Sequence, residues 1–107
     1  VAYSGSKMAV ARWVRRNAPA WAGTGVRLNA IAPGLIKTPL TASATSDARF
    51  ADAMKAFEDS IPARRAGQPA DIAAMACFLL SPAAEFVCGA VIFVDGGHDA
   101  MFRPDRF

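Results

Sequence analysis

Tyr3 and Lys7 stand four residues apart near the start of the chain. On a helix that spacing puts both on one face. A phenol holds its proton to about pH 10, so it is a poor base near neutrality unless its anion is favoured. An ammonium ~4 Å away in an effective dielectric of ~20 supplies about 4 kcal/mol, which is the size of change required. A tyrosine so placed can pass a proton to or from an alcohol or carbonyl oxygen. Solvated helix surfaces also carry Tyr and Lys at this spacing, so the surrounding sequence has to decide between the two readings.

Residues from about Tyr3 to Ala22 read as a helix, with Val10, Trp13, Val14, Asn17 and Trp21 recurring at three- and four-residue steps. Gly23 and Gly25 stop it, and Pro19 predicts a bent last turn because it frees the carbonyl of Arg15. Val26 to Ala32 reads as a strand, closed by Pro33-Gly34, with a second break at Thr38-Pro39. Residues 40–66 are polar, Ala-rich and interrupted, and are expected to be a mobile substrate loop or lid in which Asp47 to Phe57 could form one or two short helices. Gln68-Pro69-Ala70-Asp71 opens a further helix that ends at Ser81-Pro82, with Asp71 complementing its dipole. Ala90 to Val94 is a continuous apolar run that suits a strand buried on both faces. The tail from His98 shows no periodicity.

The order is therefore helix, strand, loop, helix, strand, tail. A strand, a helix and a second strand make a βαβ unit with a right-handed crossover. Two parallel strands are a poor isolated sheet. The fold class expected is α/β, as the C-terminal portion of a doubly wound parallel sheet whose N-terminal strands are missing.

Composition agrees with one domain over residues 1–107, 53% of them hydrophobic, which excludes a disordered segment. A domain of this size buries only roughly 60–70% of its unfolded surface, so the runs IAPGLI, ACFLL and AVIFV are expected to need further chain against them. The chain starts at Val1, with no signal peptide and no membrane-length apolar run. A cytoplasmic, soluble protein lacking its N-terminal part is expected, with a complete small domain cut from a precursor as the alternative. The net charge of +3 is spread over Arg12, Arg15, Arg16, Arg27, Arg64, Arg65, Arg103 and Arg106 among acidic residues, which is no nucleic-acid stripe. Cys77 and Cys88 have no clustered histidines, so no metal site is expected and both read as reduced structural thiols.

Tyr3-Ser4-Gly5-Ser6-Lys7 resembles the YxxxK motif of the short-chain dehydrogenases/reductases, and Ala9 fits it. The resemblance continues in order. Val26 to Gly34 (VRLNAIAPG) looks like that family's strand and Pro-Gly turn, followed by Ile36 and Thr38-Pro39. Arg65, Gly67, Pro69, Asp71, Ile72 and Ala73 resemble the approach to its late helix, and Gly89 with Val94-Asp95-Gly96-Gly97 resembles its last strand and terminal turn. Within the family the phrases AWAGTGVRLN and LLSPAAEFVCGA, and the tail from Asp99 through Arg103-Pro104 to Phe107, are similar to bacterial 3α-hydroxysteroid dehydrogenase/carbonyl reductases.

The resemblance implies a Rossmann-type oxidoreductase domain that moves hydride between NAD or NADP and a hydrophobic secondary alcohol or ketone, such as a hydroxysteroid. It makes Tyr3 the catalytic acid/base and Lys7 the residue that favours the phenolate and bonds the nicotinamide ribose. It implies that Pro33-Gly34 lets the backbone pass close to the nicotinamide. Ile36 is implied to give backbone contacts to the carboxamide, and Thr38 to contact the carboxamide or phosphates. Leu40, Met54, Phe57 and Met101 are candidates for lining a hydrophobic substrate site, with packing as the alternative for each. Asn29 is read as a structural hydrogen-bonder. The family's Gly-rich turn, its active-site Ser and the residues that choose between NAD and NADP precede this stretch, so the chain by itself is expected to be inactive without the missing N-terminal half. A homo-oligomer through helix 69–81 and strand 90–94 is implied. The alternatives are a 3-oxoacyl reductase, a non-catalytic dimerisation module that keeps the fold, and an anion-binding surface built from the arginines.

Overall fold

A computed structural model describes residues 2–44 and 47–106. Its elements are α1 (Ala2–Gly23), β1 (Ala30–Pro33), α2 (Pro39–Ala44), α3 (Ala48–Ser60), α4 (Pro69–Leu80), a 3-10 turn (Pro82–Ala84), β2 (Val91–Val94) and α5 (His98–Phe102). β1 and β2 pair in parallel as a two-stranded sheet, so the chain is α/β as expected. Ala30 N donates to Ala90 O at 2.8 Å at one end of the ladder, and Gly34 N donates to Val94 O at 3.0 Å at the other. Phe107, within the tail used for the resemblance, and Thr45 and Ser46, within segment 40–66, lie outside the described residues. The chain divides into two compact units, one running up to Ile31 and taking in Met75–Ile92, the other holding Ala32–Ala74 and the chain from Phe93 onward.

In the first unit α1 buries Val14 and Ala18, and Leu79 and Ala84 complete a small core. The expected apolar stripe is only partly buried. Val10, Trp13 and Trp21 are exposed, and the two indoles meet edge to face at 5.7 Å. Ala18 is the packing residue because a small side chain lets backbone come close: a Cβ on Gly89 would lie 3.1 Å from Ala18 Cβ. The helix runs on through Pro19 to Gly23. It ends where Thr24 turns its N–H and hydroxyl back onto Trp21 O and Gly25 takes a φ of 85°, a conformation glycine adopts without strain.

The strand predicted over Val26–Ala32 is shorter and lies later, at Ala30–Pro33. Side chains hold the approach to it. Arg27 donates to Leu79 O at 2.5 Å and Ala84 O at 3.0 Å, and Asn29 donates to Val87 O at 2.8 Å while accepting from Ala90 N at 2.9 Å. Asn29 is thus the structural hydrogen-bonder expected of it. The strand predicted over Ala90–Val94 begins at Val91, and it is not buried on both faces: Phe93 is exposed and the other three residues are half-buried. A two-stranded sheet has too few neighbours to cover both sides of either strand. In the runs IAPGLI, ACFLL and AVIFV, Leu79 alone is buried.

In the second unit α3 covers the stretch expected to hold short helices, and the tail carries a helix that its sequence did not signal. Much of 40–66 is helical. Asp47 caps α3 by accepting from Arg49 N at 2.9 Å, which satisfies one of the unpaired amides of the first turn. The tail carries α5, started by the Asp95 carboxylate, which accepts from Gly97 N at 2.9 Å and Asp99 N at 2.7 Å. Ile61 and Ala66 are the buried residues of this unit. Above Ile61 lies the turn Asp95-Gly96-Gly97, where Gly96 and Gly97 have φ of 67° and 90°. A Cβ on Gly96 would meet Ile61 Cγ2 at 2.8 Å and Ala63 Cβ at 2.9 Å. Space and backbone conformation both demand glycine there, whereas nothing lies within 4 Å of a Cβ on Gly25. Gly96→Ala is expected to lower the unfolding free energy by about 2–4 kcal/mol, and Gly25→Ala by about 1–2 kcal/mol. Urea unfolding of the two variants side by side checks this; equal losses would show that the contact with Ile61 and Ala63 has no energetic consequence.

Candidate functional site

The sequence-expected residues fall into two groups, each inside one unit. Tyr3 and Lys7 lie on α1 in the first. Their i, i+4 spacing brings Lys7 Nζ to 5.3 Å from the centroid of the Tyr3 ring, within the range of a cation–π contact. Tyr3 is 74% exposed, so its hydroxyl is open to an incoming oxygen. Ser6, between them, donates its hydroxyl to Tyr3 O at 2.7 Å.

Pro33, Gly34, Ile36, Thr38, Leu40, Met54 and Phe57 belong to the second unit. Pro33 is the last residue of β1, and since the amides of Ala30 and Gly34 are the ones that face β2, its missing N–H falls on the open edge of the strand. A Cβ on Gly34 would fall 2.7 Å from both Cα and Cβ of Asp95. The Pro-Gly break is therefore needed by the fold itself, because the turn after β2 crosses there. Beyond it Ile36 forms a single parallel bridge with Gly67. Gly67 N donates to Leu35 O at 2.7 Å and Lys37 N to Gly67 O at 2.9 Å. That pattern uses the flanking residues, so the N–H and C=O of Ile36 point to the opposite edge of the strand. They form one donor and one acceptor, the complement of a primary carboxamide.

Thr38 caps α2. Its hydroxyl accepts from Thr41 N at 3.3 Å, and Thr41 Oγ1 accepts from Thr38 N at 2.8 Å, a reciprocal cap. The hydroxyl proton of Thr38 is not consumed by accepting. Thr38, Thr41, Lys37, Met54, Lys55 and Glu58 line most of a cavity of about 340 Å3. Of the four candidate substrate residues, Met54 reaches it. Phe57 turns elsewhere, its ring edge-on to His98 at 4.9 Å, and Leu40 is 80% exposed. Met101 on α5 is also exposed.

Two carboxylates not singled out as site residues hold this region together. Glu58 Oε1 accepts from Ala66 N at 3.2 Å and lies 3.2 Å from Lys37 Nζ. Asp71 receives both ends of the Arg65 guanidinium, at 2.8 and 3.1 Å, and accepts from Gln68 N at 2.7 Å. Asp71 was legible, since it stands three residues after the residue it caps. Glu58 had no local signal, because both its partners are distant in sequence. Among the described residues no group of three potential ligands could hold a metal ion, Cys77 and Cys88 are free thiols, and no helix is long and apolar enough to cross a membrane.

A profile of the family described as enoyl-(acyl carrier protein) reductase matches residues 1–99. The chain is 45% identical over its whole length to a 3-alpha-hydroxysteroid dehydrogenase/carbonyl reductase of Comamonas testosteroni, of which it covers 41%. It is 44% identical, over 90% of its length, to a galactitol 2-dehydrogenase of Cereibacter sphaeroides, of which it covers 37%. The structure superposes with a TM-score of 0.83 on a 3-alpha-hydroxysteroid dehydrogenase from Pseudomonas sp. B-0831 complexed with NADH, at 45% identity, covering 99% of this chain and 41% of that one. A short-chain type dehydrogenase/reductase from Mycobacterium ulcerans gives a TM-score of 0.78 at 39% identity, with 97% and 40% covered. A chain from Agrobacterium tumefaciens with bound NADP gives 0.79 at 43% identity, with 92% and 39% covered. The chain thus spans about 41% of the length of the first of these relatives.

The hydrogen bond from Arg65, then that from Gln68 N–H, holds the Asp71 carboxyl at about 2, below its ordinary 3.8. The folded chain then binds this proton less tightly than the unfolded chain. The stabilisation is complete above about 3.8 and is lost as pH falls through about 2. A carboxyl 13C titration is expected to place Asp71 near the lower value, and Arg65→Ala to move it toward the upper one. An Asp71 that titrates identically in both proteins would show that the pair does not form in solution.

Proposed function

Since this chain belongs to the short-chain dehydrogenase/reductase family, we propose that it is the C-terminal part of a Rossmann-type oxidoreductase domain. The whole protein would exchange hydride between NAD or NADP and a secondary alcohol or ketone. The observation that carries this reading is the stacking of Lys7 Nζ over the Tyr3 ring on one exposed helix face. It puts an ammonium beside the phenol ring on one helix face, which supports the reading taken from the spacing.

In the reducing direction Tyr3 donates its hydroxyl proton to the carbonyl oxygen as charge builds there, and Lys7 stabilises the phenolate that remains. The nicotinamide, when bound, supplies the hydride. Ile36 offers its outward N–H and C=O to the carboxamide, Pro33-Gly34 keeps side chains out of its path, and Thr38 donates its hydroxyl proton to the carboxamide or to a phosphate. Similar structures hold NADH in one case and NADP in another, so both cofactors stay in the proposal.

For the substrate we propose a hydrophobic alcohol or ketone, with a hydroxysteroid as the first to try, because the relative matched over the whole chain carries that activity in its name. Segment 40–66 is proposed as the lid, with Leu40, Met54 and Phe57 as residues that close on the substrate. The cavity beside Met54 supports this for Met54 directly. A 3-oxoacyl reductase is a second reading, favoured by the acyl-carrier-protein substrate in the description of the matching profile. We further propose self-association through helix 69–81 and strand 90–94, where Phe78, Leu80 and Phe93 are exposed, and a cytoplasmic location, in keeping with two free thiols.

The test is ketone reduction by the whole protein, N-terminal half included. Tyr3→Phe is expected to lower kcat by 10²–10⁴-fold while NADH or NADPH still binds. Normal turnover by Tyr3→Phe would end the catalytic assignment, and a parent protein that reduces no ketone would leave the non-catalytic dimerisation module.

A further inference from the structure

We propose that Glu58 is a positioning residue that sets the backbone of Ile36 for the nicotinamide carboxamide and ties that setting to α3. The inference rests on the oxidoreductase reading given above.

The bridge between Ile36 and Gly67 consists of two backbone hydrogen bonds and stands alone outside the β1–β2 ladder. A bridge of one residue pair has no neighbouring rungs to fix its register. What flanks it is Glu58. Ala66 immediately precedes Gly67, and Lys37 immediately follows Ile36. A single oxygen, Oε1 of Glu58, accepts from Ala66 N and faces Lys37 Nζ, each at 3.2 Å. One carboxylate therefore holds the backbone of Ala66 and the side chain of Lys37, on either side of the bridged pair.

The two halves of this grip differ in weight. Lys37 is 55% exposed at its side chain, and an ion pair so open to water contributes little. Ala66 is 2% exposed, so its amide has no water to turn to if Glu58 is removed, and a buried donor left without an acceptor is costly. The same ranking appears in the acid strength of Glu58, whose carboxyl is held below its ordinary 4.5 first by the Ala66 N–H and then by Lys37. The far side of the bridge is closed independently. Arg65 donates to Ala66 O at 3.0 Å and to Asp71, and Asp71 accepts from Gln68 N. The two residues of the bridge pack closely: a Cβ at Gly67 would lie 2.6 Å from Ile36 Cδ1. Losing Glu58 thus releases the α3 side of the bridge, while the α4 side stays tied.

Glu58 belongs to α3, in the segment proposed as the lid. A displacement of α3 pulls on Ala66 and Lys37, and so on the strand edge that Ile36 presents. Asp52, earlier on α3, is exposed and lines no part of the cavity, and it serves as the control.

The experiment measures NADH, NADPH and ADP-ribose affinity in the whole protein. ADP-ribose lacks the nicotinamide, so it does not read Ile36. Glu58→Ala is expected to weaken the preferred dinucleotide by about tenfold and to raise its KM in proportion, with ADP-ribose unchanged. Glu58→Gln keeps an acceptor oxygen for Ala66 N–H and should stay within about twofold of the parent, as should Asp52→Ala. If the alanine variant does not fold, Glu58→Asp, one methylene too short to span Ala66 and Lys37, takes its place with the same expectation. Undiminished dinucleotide binding by the alanine or aspartate variant overturns the proposal. So does an equal loss of ADP-ribose, which would mean general damage. A parent protein that binds neither ADP-ribose nor either dinucleotide would instead remove the oxidoreductase reading, and this inference with it.

Discussion

Two paired strands satisfy only a handful of backbone groups, and every connection leaving them carries amides and carbonyls that still need partners. In this chain side chains supply many of them, with a division of labour between the units. In the first, donors capture carbonyls: Arg15 reaches Gly89 O, Arg27 reaches Leu79 O and Ala84 O, and Asn29 reaches Val87 O. In the second, carboxylates capture amides: Glu58 takes Ala66 N, Asp71 takes Gln68 N, and Asp95 takes Gly97 N and Asp99 N. Bonds between a charged group and the backbone are roughly twice as strong as neutral ones. That strength matters here, because the buried apolar residues are few and mostly small.

The same scarcity of core explains the glycines. Where the connections cross, glycine leaves the room that a neighbouring backbone or side chain fills. Gly34 lies against Asp95, Gly67 against Ile36, Gly96 against Ile61 and Ala63, and Gly89 against Ala18. The Pro-Gly turn after β1 thus serves packing, whatever it also does for a cofactor. Capping does similar double duty. Thr38 and Thr41 close the start of α2 with their hydroxyls and at the same time form the wall of a cavity. Residues of this kind are constrained by the fold and by the proposed chemistry together.

Local signals were read well where they are local. The first helix, the opening of α4 at Pro69 and its end before Ser81 are all marked by periodicity or by a cap within a few residues. The Tyr3–Lys7 contact follows from helix geometry alone. Strand limits were read less well, because a strand ends where its partner stops pairing, and the partner is some sixty residues away. Burial failed for the same reason. Ala90–Val94 has the composition of a strand covered on both faces, but coverage belongs to neighbours. The helix at Ala48–Ser60 lies where Asp47 to Phe57 was open to one, whereas His98–Phe102 was obscured by a tail without periodicity, and its start at Asp95 is marked only once the backbone folds onto that carboxylate.

By itself, then, the sequence determined the family, the α/β class and the pair most able to move a proton. These depend on short spacings and on the order of motifs along one chain. Tertiary structure decided which carboxylates matter. Glu58 is one acidic residue among nine, and it gains its place only when Lys37 and Ala66 arrive beside it from different parts of the chain. The reason is physical. A helix fixes the distance between Tyr3 and Lys7 through its own hydrogen bonds, whereas the bridge at Ile36 exists only where two separate segments meet, and no spacing along the chain specifies that meeting.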